Sequence, residues 1–252
     1  KRNLHARAAT LFQKGRRALG NPTLFARELA ELAERQADYP EAVREYLLFL
    51  QDKPQRRPFV ESRLREFARE ADPKAPIFAL LADRVQKQPK HPTLSWLLVE
   101  YALPAGYAAA ALQVLVEQTD NTRARHSLLL RIASYCLEGG AYPTAAAAYG
   151  ALIDRAVAPD VRSRALLGLA RTQEGHNRTD DARRLYRDLI DRHPRLPEAD
   201  EARYRLGLLL RTTDRQGALQ TFQHLVGTGQ RTSWRYLALF EISELHLRGD
   251  RP

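Results

Sequence analysis

Hydrophobic residues recur along the chain at helical spacing, and one pattern returns at nearly constant intervals. In its clearest copy an alanine is followed after four residues by an aromatic residue, after three more by an apolar residue, and after five more by proline. That copy consists of Ala182, Tyr186, Leu189 and Pro194. Spacings of four and three place these side chains on one face of an α-helix. The small alanine lets a neighbouring helix approach closely, and the proline ends the helix.

Three further segments carry the same spacing. They are Ala42, Tyr46, Phe49 with Pro54; Ala145, Tyr149 with Leu152; and Ala218, Phe222 with Leu225. A second stretch of helical periodicity precedes each copy, as Leu166, Leu169 and Ala170 do before Ala182. The alanines at 145, 182 and 218 are 37 and 36 residues apart. Each copy therefore belongs to a repeating pair of helices, a helical hairpin.

This periodicity predicts an all-α protein, an α-solenoid of stacked helical hairpins, formed as one array over residues 1–252. Two less regular units fill the interval between residues 54 and 121. The expected boundaries are a partial repeat at 4–20, hairpins at 21–54, 55–89, 91–120, 121–157, 158–194 and 196–229, and a terminal helix at 231–248. Residues 4–19 have the spacing of a second helix and residues 231–247 that of a first helix, so we expect the array to continue beyond the chain.

The positive charge of the chain is concentrated at one end. Its formal net charge is +10, of which residues 1–22 contribute +6 because they contain six basic residues and no acid. The charge of the remaining residues oscillates from unit to unit. Helical-repeat proteins that read RNA need a continuous basic face. A nucleic-acid-associated protein is therefore the alternative rather than the favoured interpretation.

The sequence offers little for catalysis or for a cofactor. The single cysteine, Cys136, excludes an internal disulfide and a multi-cysteine metal site, and its place on an apolar helical stripe predicts a core residue. The seven histidines are spread along the chain, with no pair at the spacing of a helical metal site. Phosphate-binding and nucleophile-turn motifs are also absent. We therefore predict no enzymatic activity, no cofactor, no metal and no small-molecule substrate.

The most apolar stretch, residues 94–116, has nearly the length of a membrane span. Glu100, Pro104 and Gly106 interrupt it, so two buried helical segments are predicted and no transmembrane segment. Residues 91–121 also contain Trp96 and Tyr107 and carry almost no charge. They could form a buried central unit or a surface for self-association, and the buried unit is favoured.

The spacing in residues 182–194 resembles the second helix of the tetratricopeptide repeat, and Trp234, Leu237 and Ala238 are similar to the first-helix signature of that family. The resemblance covers nearly the whole chain. It implies a right-handed superhelix in which the first helices line a concave groove that holds a segment of a partner protein. Residues 192–207 further resemble tetratricopeptide-repeat proteins of the bacterial cell envelope. That implies a periplasmic or envelope-associated location, with the cytoplasm as the alternative.

Projection of the first-helix pattern selects six side chains expected to face the groove. They are Arg164, Arg171, Tyr204, Leu208, Arg211 and Arg235. Arginine presents a planar set of donors that suits carboxylates, and tyrosine gives a broad contact surface. This basic strip predicts an acidic segment of a protein partner. The Lys and Asn set with which some family members clamp carboxylate tails does not occur in the matching helices.

We therefore predict a non-catalytic scaffold for protein–protein interaction in a bacterial envelope-associated assembly. Two alternatives remain open. One is the nucleic-acid-associated helical-repeat protein. The other is a regulatory or docking domain of an enzyme whose catalytic part lies outside these 252 residues.

Overall fold

A computed structural model describes residues 2–118, 122–155, 158–227 and 232–249, with side chains from residue 6 to residue 247. Within these ranges the chain forms fourteen α-helices and one short 3-10 helix, and no strand is present. Within each unit most successive helices pack against one another, which confirms the prediction of an all-α helical-repeat protein. The residues group into two compact units, Lys1–Asp120 (unit 1) and Asn121–Pro252 (unit 2).

Seven helices and the 3-10 helix belong to unit 1. They are α1 (Arg2–Ala18), α2 (Ala26–Arg35), α3 (Tyr39–Asp52), the 3-10 helix (Pro54–Arg56), α4 (Arg57–Glu70), α5 (Ala75–Lys87), α6 (Pro92–Ala105) and α7 (Ala108–Val116). The other seven belong to unit 2. They are α8 (Arg123–Glu138), α9 (Tyr142–Arg155), α10 (Pro159–Gly175), α11 (Thr179–Arg192), α12 (Pro197–Leu210), α13 (Arg215–Gly227) and α14 (Ser233–Gly249).

Four of the turns between paired helices use one residue in the left-handed backbone region. At Gly140 φ is 74°, and the following amide of Ala141 donates a 2.7 Å hydrogen bond to the carbonyl of Cys136. This bond satisfies a carbonyl that the end of α8 would otherwise leave without a partner. The four positions are Ala37, Gly106, Gly140 and Asn177. Glycine and asparagine suit this conformation, so three of the four turns follow from local sequence, and Ala37 is the exception.

The helices of unit 1 do not all pair with their neighbour in sequence. The second helix α3 packs on α2, and its Tyr46 is fully buried with its ring 5.6 Å from that of Phe59. Helix α4 ends in extended backbone at Ala71 and packs against α6, whereas α5 lies against α3, α6 and α7. No Cα atoms of α4 and α5 come within 8 Å of each other in the described residues.

Helix α1 is tied to unit 1 by a forked ion pair. Two nitrogens of the Arg16 guanidinium donate to the two carboxylate oxygens of Glu45 at 2.8 and 2.6 Å, and Nε donates to the carbonyl of Leu24 at 2.9 Å. The apolar residues of α6 complete the core of this unit, because Leu97 and Tyr101 are fully buried.

In unit 2 each helix packs on the next one along the chain, from α8 to α14. The residues of the repeated pattern lie inside, since Ala182, Tyr186 and Leu189 are fully buried. Two glycines permit close approach of neighbouring aromatic rings. A Cβ atom at Gly168 would lie 2.2 Å from the ring of Tyr149, and one at Gly207 would lie 2.4 Å from the ring of Phe222.

Candidate functional site

The first helices of the hairpins form one face of unit 2. Cα atoms of α10 lie within 8 Å of both α8 and α12, and those of α12 lie within 8 Å of α14. Among the described residues, no two of the second helices α9, α11 and α13 approach so closely. Stacked hairpins that are closer on one side curve toward that side. We call the surface formed by α8, α10, α12 and α14 the inner face.

Arg164 and Arg171 lie seven residues apart on α10, at equivalent positions of its helical surface. Arg164 is bonded along its own helix: Nη2 is 2.9 Å from Oδ2 of Asp160, and Nε donates to the Asp160 carbonyl at 3.1 Å. Arg171 reaches toward the next first helix, with Nε 3.8 Å from Oε1 of Glu201 on α12. The two arginine side chains remain 49% and 43% exposed.

Tyr204 and Leu208 form the apolar part of the site. The Tyr204 ring lies 5.9 Å from the ring of Phe222 and 5.4 Å from that of Trp234, so it bridges α13 and α14. Leu208, one turn later, packs on the same cluster and is also partly exposed. Burial raises the pKa of the Tyr204 hydroxyl, and the nearby Glu241 carboxylate raises it further. The ring therefore presents a neutral surface.

Arg235 lies on α14, and Arg211 contacts that helix. Nη1 of Arg211, just after the end of α12, donates to Oε2 of Glu241 at 2.8 Å, and the Arg211 side chain is 39% exposed. Arg235 is partly buried, and within the described part of the chain its side chain has no hydrogen-bond or ion-pair partner. Three of the four arginines predicted for the groove are therefore already matched by acids.

Sequence reasoning missed those acids. Asp160 precedes Arg164 by four residues, a helical spacing that was available in the sequence. Glu201 and Glu241 each follow their arginine by 30 residues, which is close to one repeat. Two pairs at the same interval would have indicated contacts between successive first helices.

A further network lies beside these residues. The Tyr186 hydroxyl donates to Oε2 of Glu174 at 2.5 Å, and Nη1 of Arg205 lies 3.4 Å from the same oxygen. Nε of Arg205 donates to Oε1 of Glu201 at 2.7 Å. Burial, and then the hydrogen bond to Glu174, raise the pKa of Tyr186. Glu201 therefore stands between Arg171 and Arg205, which fixes its position on the inner face.

The terminal helix α14 carries apolar side chains on two opposite sides. Ala238 and Leu245 are buried against the core of unit 2. The opposite side exposes Tyr236, Phe240 and Leu247, each by more than 60%. Three large apolar side chains exposed on one side of a helix are unusual at a surface.

The described residues offer little for redox or metal chemistry. Cys136 is buried as predicted, and burial raises the pKa of its thiol, which disfavours the reactive thiolate. No group of three His, Cys, Asp or Glu residues in the described ranges could hold a metal ion. No described helix is both long enough and apolar enough to cross a membrane.

Comparison with known families gives a match over the hairpin of α10 and α11. Residues 164–195 match a family model described as tetratricopeptide repeat. The matched span runs from Arg164 on α10 through α11, and it includes both Arg171 and the pattern of Ala182, Tyr186 and Leu189. No curated protein matches the chain. The match supports assignment to the tetratricopeptide-repeat superfamily, whose members are typically non-enzymatic, and it suggests a scaffold for protein–protein interaction.

Proposed function

We propose that unit 2 is a non-catalytic scaffold that holds an acidic segment of a protein partner on its inner face. The observation that carries the proposal is the apolar surface of Tyr204 and Leu208, with the exposed guanidinium groups of Arg171 and Arg211 on the same row of helices. Apolar side chains of the segment would pack on the tyrosine ring, and its carboxylates would bind the arginines.

The acids already beside these arginines leave donors for a partner. A guanidinium has five N–H donors, of which Arg211 uses one for Glu241 and Arg164 uses two for Asp160. The pair of Arg164 and Asp160 is exposed on both sides, and such pairs contribute only about 0–1 kcal/mol, so a partner carboxylate can replace Asp160 at little cost. The Glu241 side chain is only 10% exposed, so a partner carboxylate would bind the remaining donors of Arg211 and leave that pair in place. The internal acids also limit the net positive charge, which favours segments that combine acidic and apolar residues.

Selection from a displayed random-peptide library tests the proposal. The test variant carries Arg164→Glu, Arg171→Glu and Arg211→Glu on the inner face. The control carries Arg184→Glu, Arg187→Glu and Arg192→Glu, which make the same charge change on α11, a second helix. We expect the native chain and the control to select acidic peptides with apolar residues, and the test variant to bind those peptides at least tenfold more weakly.

Two results would contradict this proposal. Equal binding of the selected peptides by both triple variants would exclude the inner face as the binding surface. Selection of peptides without an acidic bias would exclude an acidic partner segment. The inner face would then be tested as the binding surface by comparing the two triple variants with those peptides. Circular dichroism of both variants verifies that they keep the native helix content.

We further infer a location in the bacterial envelope for this scaffold. The support is the similarity of residues 192–207, which run from the end of α11 through most of α12, to envelope tetratricopeptide-repeat proteins. Detection of the native protein in fractionated cells tests the location. Recovery in the cytoplasm alone would contradict it.

One observation favours binding of nucleic acid by α1 as a second candidate. Arg7, Lys14 and Arg17 are exposed on α1 and have no acidic partner among the described residues. A salt titration with generic RNA separates this candidate from the scaffold. Nucleic-acid binding requires an affinity that falls steeply as salt rises, and it requires that removal of α1 charges abolishes the binding.

A further inference from the structure

Unit 1 contains a cavity of about 240 Å³ among α3, α5 and the start of α6. Its floor is apolar: Leu47, Leu50, Leu94 and Leu97 line it, and none of them is more than 9% exposed. The residues that line the cavity all belong to unit 1, and they belong to none of the sites described above. Its function is therefore independent of the scaffold proposal.

The rim of the cavity is polar and basic. It is formed by Arg44, Gln51, Arg84, Gln88, His91 and Thr93, and no carboxylate lines it. Nη1 of Arg44 donates to Glu41, outside the lining, at 2.7 Å. The side chains of Arg84, Gln51 and Gln88 make no hydrogen bond or ion pair with any described residue. Donors without partners at the mouth of an apolar cavity are suited to a ligand with a negative group.

The beginning of α6 adds to the positive potential. Thr93 and Leu94, in the first turn of this 14-residue helix, line the cavity. The residue before the helix, His91, provides no side-chain cap for the helix amides. The first turn of a helix carries a partial positive charge. In α6 this charge is the main contribution, because Pro92 has no amide hydrogen and the Leu94 amide already donates to the His91 carbonyl at 3.2 Å. This effect acts in the same direction as Arg84.

We propose that the cavity binds a carboxylate carried on a short apolar chain, with the apolar part on the leucine floor and the carboxylate at Arg84. Pockets that hold drug-sized ligands usually have about 300–1,000 Å³, so the ligand here is a small acid or only the end of a larger molecule. The same chemistry occurs in free short-chain acids and in the C-terminal residue of a polypeptide. An uncharged or cationic ligand would leave the Arg84 guanidinium without an acceptor.

Titration with hexanoate, hexanol and hexylammonium, followed by amide NMR shifts of residues around the cavity, tests the proposal. We expect hexanoate to bind at least tenfold more tightly than either of the others, with shifts around Leu94 and Leu97. Acetyl-glycyl-leucine and its C-terminal amide distinguish the sources. Tighter binding of the free-acid dipeptide than of hexanoate indicates a polypeptide end, and the reverse order indicates a small acid.

Three exposed positions supply variants that keep the fold. Arg84→Gln should weaken hexanoate binding at least tenfold and leave hexanol binding unchanged. Gln88→Glu places a carboxylate on the rim and should reverse the preference in favour of hexylammonium. Arg69→Gln removes an arginine of α4 that does not line the cavity, and it should change neither affinity.

Three results would overturn the proposal. They are equal affinities for hexanoate and hexanol, equal losses in Arg84→Gln and Arg69→Gln, and the absence of saturable binding of both hexanoate and the free-acid dipeptide. Equal losses in Arg84→Gln and Arg69→Gln would mean that hexanoate affinity depends on the overall charge of the chain and not on a group at the cavity.

Discussion

The hydroxyl of Tyr186 donates a 2.5 Å hydrogen bond to Glu174, which lies twelve residues earlier at the end of the other helix of the hairpin. The same relationship occurs in unit 1, where the hydroxyl of Tyr46 donates to Glu34 at 2.7 Å, also across twelve residues. In both units an arginine of the following hairpin binds the same glutamate. These arginines are Arg205 and Arg63. One tyrosine thus links the two helices of a hairpin and orients the acid that binds the next one.

Replacement of this hydroxyl should weaken unit 2 measurably. Tyr186→Phe removes a donor to a half-buried carboxylate and is expected to lower the free energy of unfolding by about 1–2 kcal/mol. Urea denaturation measures the change. Tyr135→Phe is the control, since Tyr135 is exposed on α8 and its loss should have no effect. Equal stabilities of native chain and Tyr186→Phe would show that water replaces the hydroxyl without cost.

The same tyrosine should make the protein sensitive to alkali. Burial, and then the hydrogen bond to Glu174, raise the pKa of Tyr186 above its ordinary value of about 10. The unfolded chain therefore loses this proton at a lower pH than the folded chain. The stabilisation is present below about pH 10 and is lost as pH rises above that value. Denaturation between about pH 9 and 11 should show a smaller decline in Tyr186→Phe than in the native chain.

Two glycines of unit 2 should respond oppositely to alanine. At Gly168 the new Cβ would lie 2.2 Å from the Tyr149 ring, which is buried, so Gly168→Ala should destabilise by about 1–3 kcal/mol. At Gly150, in the middle of α9, no atom lies within 4 Å of the new Cβ. Gly150→Ala should stabilise by up to about 1 kcal/mol, because alanine favours the helix. Thermal unfolding of both variants tests the pair, and destabilisation by Gly150→Ala would contradict it.

Features encoded within one helix could be predicted from the sequence, whereas contacts between hairpins could not. The pattern of Ala182, Tyr186 and Leu189 predicted a buried helical face because its spacing is encoded within one turn or two. The acids beside Arg171 and Arg211 were missed because they lie on another hairpin, and their approach depends on the register between repeats.

Unit 1 illustrates a second limit. The periodicity of residues 57–87 predicted helices, and α4 and α5 are present. The periodicity contained no information on the distance between α4 and α5, because the same apolar stripe can pack on any neighbouring helix. The divergence of these two helices, and the cavity lined by Arg84 and Leu97, required the structure.

A buried histidine should make unit 2 less stable in mild acid. Burial lowers the pKa of His126 on α8, and the positive charge of Arg155 lowers it further. Between the lowered folded pKa and the ordinary value of about 6.5, the unfolded chain binds more protons than the folded chain. The free energy of unfolding should therefore fall as pH decreases below about 6.5. His126→Gln should show a flatter dependence in denaturation at pH 7.5 and 5.5, and an unchanged slope would contradict the assignment.

The pair of Asp200 and Arg203 on α12 should be sensitive because both side chains are only 4% exposed. Nη1 of Arg203 donates to Oδ1 of Asp200 at 3.0 Å, and Nη2 donates to the Pro194 carbonyl at 3.0 Å. Asp200→Ala would leave a buried guanidinium without its counter-charge, and such losses cost about 3–5 kcal/mol. Asp180→Ala is the matched control: Asp180 also lies in the first turn of a helix, three residues before an arginine, but it is 91% exposed.

We expect urea denaturation to give a loss of that size for Asp200→Ala and a much smaller one for Asp180→Ala. The double variant Asp200→Leu, Arg203→Met removes both charges and keeps apolar volume, and it should recover most of the stability, because a buried ion pair can often be replaced by apolar residues without loss. Recovery would mean that the cost in Asp200→Ala comes from the isolated charge. If the double variant is as unstable as Asp200→Ala, the bond from Arg203 to Pro194 would instead be the contact that holds the start of α12.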